Sequence, residues 1–441
     1  MTSTATTAEP PSHAAGRTTI PLAWPVGILL ATGLGLWIAS ALGLDPGNVL
    51  AQRFDLELAH LPSARMFAEL PFLEALNYPD APFPLVLMLM GAVLALGGSL
   101  LTIEILSVGV GLAMLWLVYI QARTNRGFPL AAAAALVAAV MISPYFRGTT
   151  VYANTDPLPL ALLVAAYVLV DRVRDPRPAL ALALACIAVW ARQFYLFAPL
   201  AIFLREAFGA GRAHFLRLAA LGAVMAVPVV ALVLWWGGLT SPGLPGRGHI
   251  ASAGPITTVP VLLSIFGLYA LPSVVATLRF HRSEFLAATR RPLFLLCLAG
   301  LVVAGVAVAL GAAKLQEIGG GGALMVGLGR FGVPVGIRSV ILAAIVIGIG
   351  GYLVYLVLQS PRTNAVLLLV LFAFLPTTIF YQRYFDPLLP ILFGCVLRTR
   401  ESESLARSWA ILLYPAIELV LSVASYIHYG PQLAAYLAAQ Q

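Results

Sequence analysis

Long apolar runs recur along this chain and constrain its fold more than any other feature. Several of them, between Pro21 and the C-terminus, contain about 18 to 23 residues, the length that a helix needs to cross roughly 30 Å of hydrocarbon. The composition agrees, because 61% of the residues are hydrophobic and only 10% are charged, whereas soluble domains are about half apolar and about a quarter charged. We therefore predict an all-α polytopic membrane protein.

The chain divides into a short tail and one membrane domain. Residues 1–19 are rich in Ser, Thr, Ala and Pro and have little to bury, so we predict a disordered tail. The apolar run at residues 20–44 is longer than the core of a signal peptide, which favours a retained first transmembrane helix. We expect residues 20–441 to form a single domain with about 12 to 13 transmembrane helices.

Arginine clusters between the apolar runs predict which loops share one side of the membrane, because basic residues mark cytoplasmic loops. Their scatter also argues against a nucleic-acid surface, although the net charge is +8. We predict outer loops at residues 45–81, 146–157, 237–256 and 314–334. The cytoplasmic clusters are Arg123/Arg126, Arg172/Arg174/Arg177, Arg205/Arg212/Arg217, Arg279/Arg282/Arg290/Arg291 and Arg398/Arg400/Arg407, with Arg17 and Arg362 joining them.

Two segments must depart from simple crossings for this orientation to hold. A full crossing at residues 82–99 would place the next arginine cluster outside, so we predict a re-entrant or membrane-edge helix after the first outer loop. Residues 179–208 need two short passes that meet near Arg192 and Gln193. The alternative there is one long tilted helix at which the charge rule fails.

Polar residues that the topology does not require converge on the outer side. Asp55, Glu57 and His60 lie in the first outer loop, and Asp156 lies in the next outer turn. An arginine within the membrane costs roughly 2.5 to 3.5 kcal/mol, so Arg192 needs an anionic partner or a watery cavity. A substrate phosphate would satisfy it, and a carboxylate of the protein is the alternative. Further cationic contacts on this side are offered by Lys314, Arg330 and Arg383.

A carboxylate beside such cations suits glycosyl transfer. It can accept a proton from a hydroxyl nucleophile while the cations stabilise a departing phosphate. Glu57 and His60 are three residues apart and would share one face of an α-helix, whereas Asp55 would turn away from Glu57. Only one of the two carboxylates would then face a site. A solvated Glu57–His60 pair that caps the loop is the alternative.

Several short motifs occur in order along the chain. The first is "ELAHLPSARMF" at 57–67, and the others are "YPDAPFPL" at 78–85, "NTDP" at 154–157, "RQ" at 192–193 and "QRYFDPLLP" at 382–390. Together they resemble a family of membrane enzymes, the dolichyl-phosphoglucose-dependent α-1,2-glucosyltransferases of the GT-C superfamily. The first motif matches the family pattern at Glu57, His60, Pro62, Ala64 and Phe67. The family's leading acidic residue falls on Leu56, with Asp55 one place early, so the resemblance favours Glu57 as the acidic site residue.

The resemblance implies a GT-C-like bundle and a hexosyltransferase activity. The implied donor is a polyprenyl-phosphate sugar, and the implied acceptor is a lipid or glycan of the outer leaflet or periplasm. No cofactor is certain, and a divalent metal is left open. The alanine- and arginine-rich composition with a single lysine suggests a GC-rich bacterial source, so we expect a bacterial inner (plasma) membrane, with the site facing the periplasm. The implied residues are Glu57, Asp55 and Asp156 for catalysis, and His60, Arg192, Gln193, Arg383 and Tyr384 for substrate binding.

Two other functions use the same features. A transporter or flippase of an anionic lipid-linked substrate would employ the arginines and broken helices, but such carriers commonly have an internal repeat, and this sequence shows none. A non-catalytic subunit of an envelope complex would not need the carboxylates at all. The glycine run at residues 319–322 lacks a following GK[ST] and is no P-loop.

Overall fold

The computed structural model describes residues 22–172, 174–208, 211–244, 255–310, 333–374 and 384–439. It is 83% helical, and these residues include no strand, which confirms the all-helical prediction. The α-helices in chain order are α1 (Ala23–Ala41), α2 (Pro46–Asn48), α3 (Leu61–Glu69), α4 (Phe72–Ala75), α5 (Leu85–Ala95), α6 (Leu100–Ile120), α7 (Leu130–Ile142), α8 (Pro144–Val151), α9 (Pro157–Val170), α10 (Pro178–Ala191), α11 (Phe197–Ala207), α12 (Arg212–Trp236), α13 (Pro255–Phe280), α14 (Arg282–Ala288), α15 (Pro292–Leu310), α16 (Val335–Gln359), α17 (Pro361–Asn364), α18 (Val366–Phe374), α19 (Leu388–Ile391), α20 (Arg400–Ala406) and α21 (Leu413–Ala439).

Shorter turns of other helix types join these helices. Compared with an α-helix, a π-helical turn contains one more residue in each hydrogen-bonded ring, and a 3₁₀ turn contains one fewer. The π-helical turns are Val49–Arg53, Leu56–His60, Gln121–Asn125 and Leu392–Val396, and the 3₁₀ turns are Gln193–Leu196 and Trp409–Leu412.

The predicted tail at residues 1–19 and nearly all of the predicted outer loop at 314–334 lie outside the described residues.

The apolar helices support a polytopic membrane protein. By length and composition, seven helices in the described residues can cross a membrane, or eight if the bent pair α7 and α8 is one span. Four further apolar stretches of 10–17 residues, among them α5, α9 and α10, fall below that length. The expected total of about 12 to 13 crossings stays a prediction. The seven long spans are Ala23–Ala41, Leu100–Asn125, Arg212–Trp236, Val259–Phe280, Pro292–Leu310, Gly336–Gln359 and Trp409–Ala435.

The break predicted at Arg192 and Gln193 is confirmed. Helix α10 ends at Ala191, Arg192 has an extended backbone with φ −158° and ψ 122°, and a 3₁₀ turn leads into α11. Helices α10 and α11 then pack against each other as two short passes. A single long tilted helix over this stretch is therefore wrong.

The first predicted outer loop is mostly helical. After Asp45, whose side chain caps α2, two π-helical turns lead into α3, and α4 follows. Helix α5 then packs on α3. With 11 residues α5 is about 16 Å long, roughly half the thickness of the hydrocarbon core. Its length agrees with the membrane-edge helix predicted for residues 82–99.

Polar contacts gather at the two ends of α9, which holds 14 residues and is therefore about 21 Å long. At its C-terminal end Asp171 accepts hydrogen bonds from Arg205 and Arg398 at 2.6 and 2.9 Å. Nearby, Arg126 donates to the carbonyl of Leu397 at 2.8 Å. Arginines from three of the predicted cytoplasmic clusters thus meet at this end, which we call the Asp171 end.

The predicted outer loops meet at the other end of α9, which we call the Asp156 end. His60 of the first loop contacts Asn154 of the second at 2.9 Å. The indole of Trp236, beside the third loop, donates to the carbonyl of Leu76 at 3.1 Å. The sequence-based separation of arginine clusters from outer loops therefore matches two distinct ends of the bundle.

Helix α5 approaches α3 so closely that only glycine fits at their crossing. A Cβ atom added at Gly91 would lie 2.6 Å from the carbonyl oxygen of Ala64 and 2.7 Å from the Cβ of Phe67. Both neighbours belong to α3, whose backbone cannot move without displacing the π-helical turn that carries His60. This crossing therefore fixes α3 against the rest of the domain.

We expect Gly91→Ala to destabilise the protein by about 1 to 3 kcal/mol, because overpacking forces backbone shifts. Gly109→Ala in α6 is the matched control, since a Cβ there meets no atom within 4 Å. Helix propensity alone would make the control neutral or about 0.5 to 1 kcal/mol more stable. Thermal unfolding in detergent measures both, and equal transition temperatures would contradict the close approach.

Cysteine labelling tests the two ends. In a background in which Cys186, Cys297 and Cys395 are replaced by alanine, Glu74→Cys and Leu239→Cys should react with an impermeant maleimide from the same side of the membrane. Arg174→Cys and Arg290→Cys should react from the opposite side, because all four residues are exposed and charge separates the ends. Reaction of Glu74→Cys and Arg174→Cys from one side would contradict this topology.

Candidate functional site

The turn between α8 and α9 carries the centre of the candidate site. Ala153 adopts a positive φ of 45°, and Pro157 begins α9. The backbone therefore reverses between the two helices, and the amide N–H of Asn154 donates to the carbonyl of Thr149 at 2.8 Å. The three side chains Asn154, Thr155 and Asp156 are thereby presented at the Asp156 end of α9.

A buried polar chain connects this turn to the first outer segment. The imidazole of His60 lies 2.5 Å from Oδ2 of Asp80 through Nδ1, and 2.9 Å from Oδ1 of Asn154 through Nε2. The amide of Asn154 in turn donates to Gln52 at 2.9 Å. Because both partners of His60 are acceptors, both ring nitrogens act as donors, which is the protonated form of histidine.

The charges of this pair support that protonation state. Burial opposes a positive charge on His60, but the charge and hydrogen bond of Asp80 outweigh burial and raise the pKa of His60 above its ordinary value. Burial would likewise raise the pKa of Asp80, but the charge and hydrogen bond of His60 lower it below its ordinary value. His60 and Asp80 thus form a buried ion pair that holds Asn154 in place.

Arg192 joins the same turn from the break between α10 and α11. Its Nε lies 2.9 Å from Oδ1 of Asp156, and its Nη1 donates to the hydroxyl of Thr155 at 2.5 Å. The guanidinium lies 5.0 Å from the ring centroid of Tyr384 and 5.8 Å from that of Phe194. The charge of Arg192 is therefore balanced by a carboxylate of the protein, the alternative left open by the sequence.

A small cavity of about 20 Å³ lies beside this ion pair. Its lining includes Asp156, Arg192, Tyr195, Tyr384 and a second buried carboxylic acid, Asp386. Oxygen Oδ2 of Asp156 is buried and has no hydrogen-bond partner in the described part of the chain. Such a volume holds about one water, so a sugar can enter only if the surrounding side chains move apart.

An apolar groove of about 240 Å³ adjoins the same turn. It is lined mainly by aliphatic side chains of α5 and α6, together with Ala153, Asn154, Pro157 and Leu158. Pro157 lines both the groove and the polar cavity. One turn therefore contributes residues to an apolar groove and to a charged cavity.

Glu57 does not share a face with His60, contrary to the helical expectation. Residues Leu56–His60 form a π-helical turn, in which three residues cover a smaller part of a full turn than they do in an α-helix. The side chain of Glu57 is 47% exposed and pairs with Arg53 at 2.7 Å, whereas His60 is buried. Glu57 does not line the cavity or the groove.

Asp55, which precedes this turn, lies near enough to His60 for its charge to contribute to the raised pKa of His60, after the larger effects of burial and of Asp80. Gln193 binds backbone, because its amide donates to the carbonyls of Ala81 and Leu239 at 2.7 and 3.2 Å. It thereby ties two outer segments together. The candidates Arg383, Lys314 and Arg330 lie outside the described residues.

Three residues of the site were not predicted from the sequence as site residues: Asp80, Asn154 and Asp386. Each lies within a motif of the family resemblance, at "YPDAPFPL", "NTDP" and "YFDP". The signal was a carboxylate or amide within three residues of a proline, near an apolar run. The role of such a residue depends on its partner, which can be distant in sequence. The two partners of His60, for example, lie 20 and 94 residues away from it.

Neither a metal site nor a relative identifies the chemistry. The described residues contain no group of three or more His, Cys, Asp or Glu side chains that could hold a metal ion, and the metal dependence left open by the sequence stays open. No protein-family model, curated protein or solved structure matches the chain. The geometry of the site and the motif resemblance are therefore the two supports for a functional proposal.

The His60–Asp80 pair predicts a pH dependence of stability. A raised histidine pKa stabilises the fold below about pH 6.5, its unfolded value, and this contribution is lost as pH rises through the raised pKa. The lowered pKa of Asp80 stabilises the fold above about pH 4 and is lost as pH falls through the lowered value. The unfolding temperature of the wild type should therefore fall, relative to that of His60→Gln, as pH rises above about 6.5.

The control for this prediction is His214→Gln, which changes a half-buried histidine away from the site. It should follow the wild-type profile from pH 5 to 9, the range about the ordinary histidine pKa. Parallel profiles for wild type and His60→Gln would contradict a charged His60.

Proposed function

We propose that the chain is an integral-membrane glycosyltransferase of the GT-C type. It would transfer a sugar from a polyprenyl-phosphate donor to a lipid or glycan acceptor at the outer face of a bacterial inner membrane. One observation carries this proposal: the turn at residues 154–157 lines both an apolar groove and a cavity with two carboxylic acids and an arginine. An amphiphilic donor needs both environments within one molecule's length.

The groove suits the isoprenoid tail. Its lining is almost wholly aliphatic, with Ser107 and Asn154 as the polar exceptions, and burial of apolar surface contributes roughly 25 cal/mol per Å². The phosphate at the end of the tail would then approach the turn. Arg192 uses Nε for Asp156 and Nη1 for Thr155. The guanidinium also lines the cavity, where its N–H groups can meet a phosphate oxygen.

The proposed reaction is a substitution at the anomeric carbon of the donor sugar. An acceptor hydroxyl oxygen forms the new bond to that carbon, the bond from carbon to phosphate oxygen breaks, and polyprenyl phosphate leaves with the electron pair. The hydroxyl proton passes to Oδ2 of Asp156, the oxygen with no hydrogen-bond partner among the described residues. Arg192 stabilises the phosphate charge, since a cation in a dry site acts more strongly than in water.

The geometry favours Asp156 over Glu57 as the proton acceptor. Asp156 lines the cavity and is oriented by Arg192, whereas Glu57 is half-exposed and engaged by Arg53. Asp386 lines the same cavity and is the second candidate. His60 and Asp80 act indirectly, by holding Asn154 and hence the turn, so they are positioning residues.

Turnover of a panel of radiolabelled polyprenyl-phosphate sugars by the purified protein tests the proposal. Asp156→Asn should reduce transfer by about 10² to 10⁴, the usual contribution of a positioned base, because an amide cannot accept the proton. Glu57→Gln is the matched control and should change transfer less than about tenfold.

Both variants must elute and unfold as the wild type does before their rates are compared. Full activity of Asp156→Asn would contradict its role, and a loss confined to Glu57→Gln would restore the motif-based assignment. Binding of the lipid-linked donors with flipping between leaflets, and no transfer to any acceptor, would favour a flippase instead.

A further inference from the structure

A second polar pocket, of about 540 Å³, opens at the Asp171 end of the bundle. It lies between α11, the junction of α16 with α17, and the segment that precedes α20. Three arginines from these separate elements line it, together with the single carboxylate of Glu206: they are Arg205 of α11, Arg362 of α17 and Arg398 of the segment before α20. The proposed transfer reaction does not use this pocket, which lies at the other end of α9.

Arg205 forms the buried floor of the pocket. Its side chain is only 7% exposed, its Nη2 donates to Asp171 at 2.6 Å, and its Nε lies 2.9 Å from Glu206. The remaining nitrogen, Nη1, is buried and has no hydrogen-bond partner among the described residues. Buried donors of native proteins are nearly always satisfied. An acceptor supplied by a ligand would satisfy this one.

The other two arginines are open to a ligand. Arg398 binds the same oxygen of Asp171 at 2.9 Å, yet its side chain is 51% exposed. Arg362 is exposed and donates one N–H to the carbonyl of Phe208 at 2.7 Å. Guanidinium groups present several donors in a plane that matches phosphate oxygens. Each arginine therefore keeps donors for an anion in the pocket.

The charges of the pocket match a singly charged anion. Three guanidinium groups face the carboxylates of Glu206 and Asp171, which leaves one positive charge in excess. A phosphodiester carries one negative charge. A phosphate ester of this kind would neutralise the pocket and meet Nη1 of Arg205 at the same time.

The surroundings identify the source of the phosphate. The pocket lies where α16, a membrane-spanning helix, ends at Gln359. Two large apolar side chains of the neighbouring segment, Leu200 and Phe208, are each 47% exposed. Basic pockets between helices at a membrane surface recruit anionic headgroups, while the acyl chains stay in the bilayer. We infer that this pocket binds the phosphodiester headgroup of an anionic phospholipid.

Lipid binding to the purified protein in detergent tests the inference, with phosphatidylglycerol, phosphatidylcholine and inorganic phosphate as separate probes. Phosphatidylglycerol should bind and raise the unfolding temperature, and the other two should not. Arg362→Gln and Arg398→Gln should each weaken its binding about fivefold, since one arginine near a membrane surface contributes about that factor. Arg205 is not substituted, because its loss would leave Asp171 buried beside a single arginine.

Arg212→Gln is the matched control, an exposed arginine outside the pocket. It should leave binding unchanged. An equal loss in Arg212→Gln would overturn the inference in favour of diffuse surface attraction, and equal binding of inorganic phosphate would reassign the pocket to a free anion. Unchanged binding in Arg362→Gln would also overturn it. Because Arg362 is exposed, its variant keeps the test valid even if Arg398→Gln unfolds.

Discussion

A charge buried in this bundle needs a partner inside the protein, because hydrocarbon offers none. Three buried arginines meet that requirement, each by binding a carboxylate that belongs to another part of the chain. Arg147 lies 2.9 Å from Asp45 across 102 residues of sequence, Arg192 binds Asp156 and Arg205 binds Asp171. Removing one partner of such a pair typically costs about 3 to 5 kcal/mol. These pairs therefore tie α1, α2 and α8 together at one place and fix both ends of α9 at two others.

The sequence predicted those parts of the fold that follow from the free-energy cost of placing a charge in hydrocarbon. The break at Arg192 was predictable because an arginine in the middle of an apolar run, together with the cluster Arg205/Arg212/Arg217 that follows it, could not be placed otherwise. The gathering of Arg126, Arg205 and Arg398 at one end was predictable for the same reason. The number of crossings was harder to predict, because several apolar helices such as α5 and α9 are shorter than the hydrocarbon core is thick.

The candidate site was predicted less well, because its chemistry depends on contacts between distant residues. Asp156, Arg192 and Tyr384 were identified, and they line one cavity. Glu57 was favoured from α-helical spacing and from the register of the family motif, but residues 56–60 form a π-helical turn and its side chain is half-exposed. No local pattern indicates a π turn, so the direction of the Glu57 side chain could not be predicted from its spacing. The contacts of His60 with Asp80 and Asn154 could not be predicted either, because no local sequence pattern links the three residues.

The shortness of α9 has a consequence for any lipid-linked ligand. About 21 Å separates its two polar ends, roughly 9 Å less than the hydrocarbon thickness. At least one end must therefore lie below the level of the lipid carbonyl groups, in a local indentation of polar character within the bilayer. A molecule anchored by its tail could present its reactive group to such an indentation while remaining at its normal depth in the leaflet. For the proposed polyprenyl-phosphate donor, the isoprenoid chain would then stay in the hydrocarbon during the reaction.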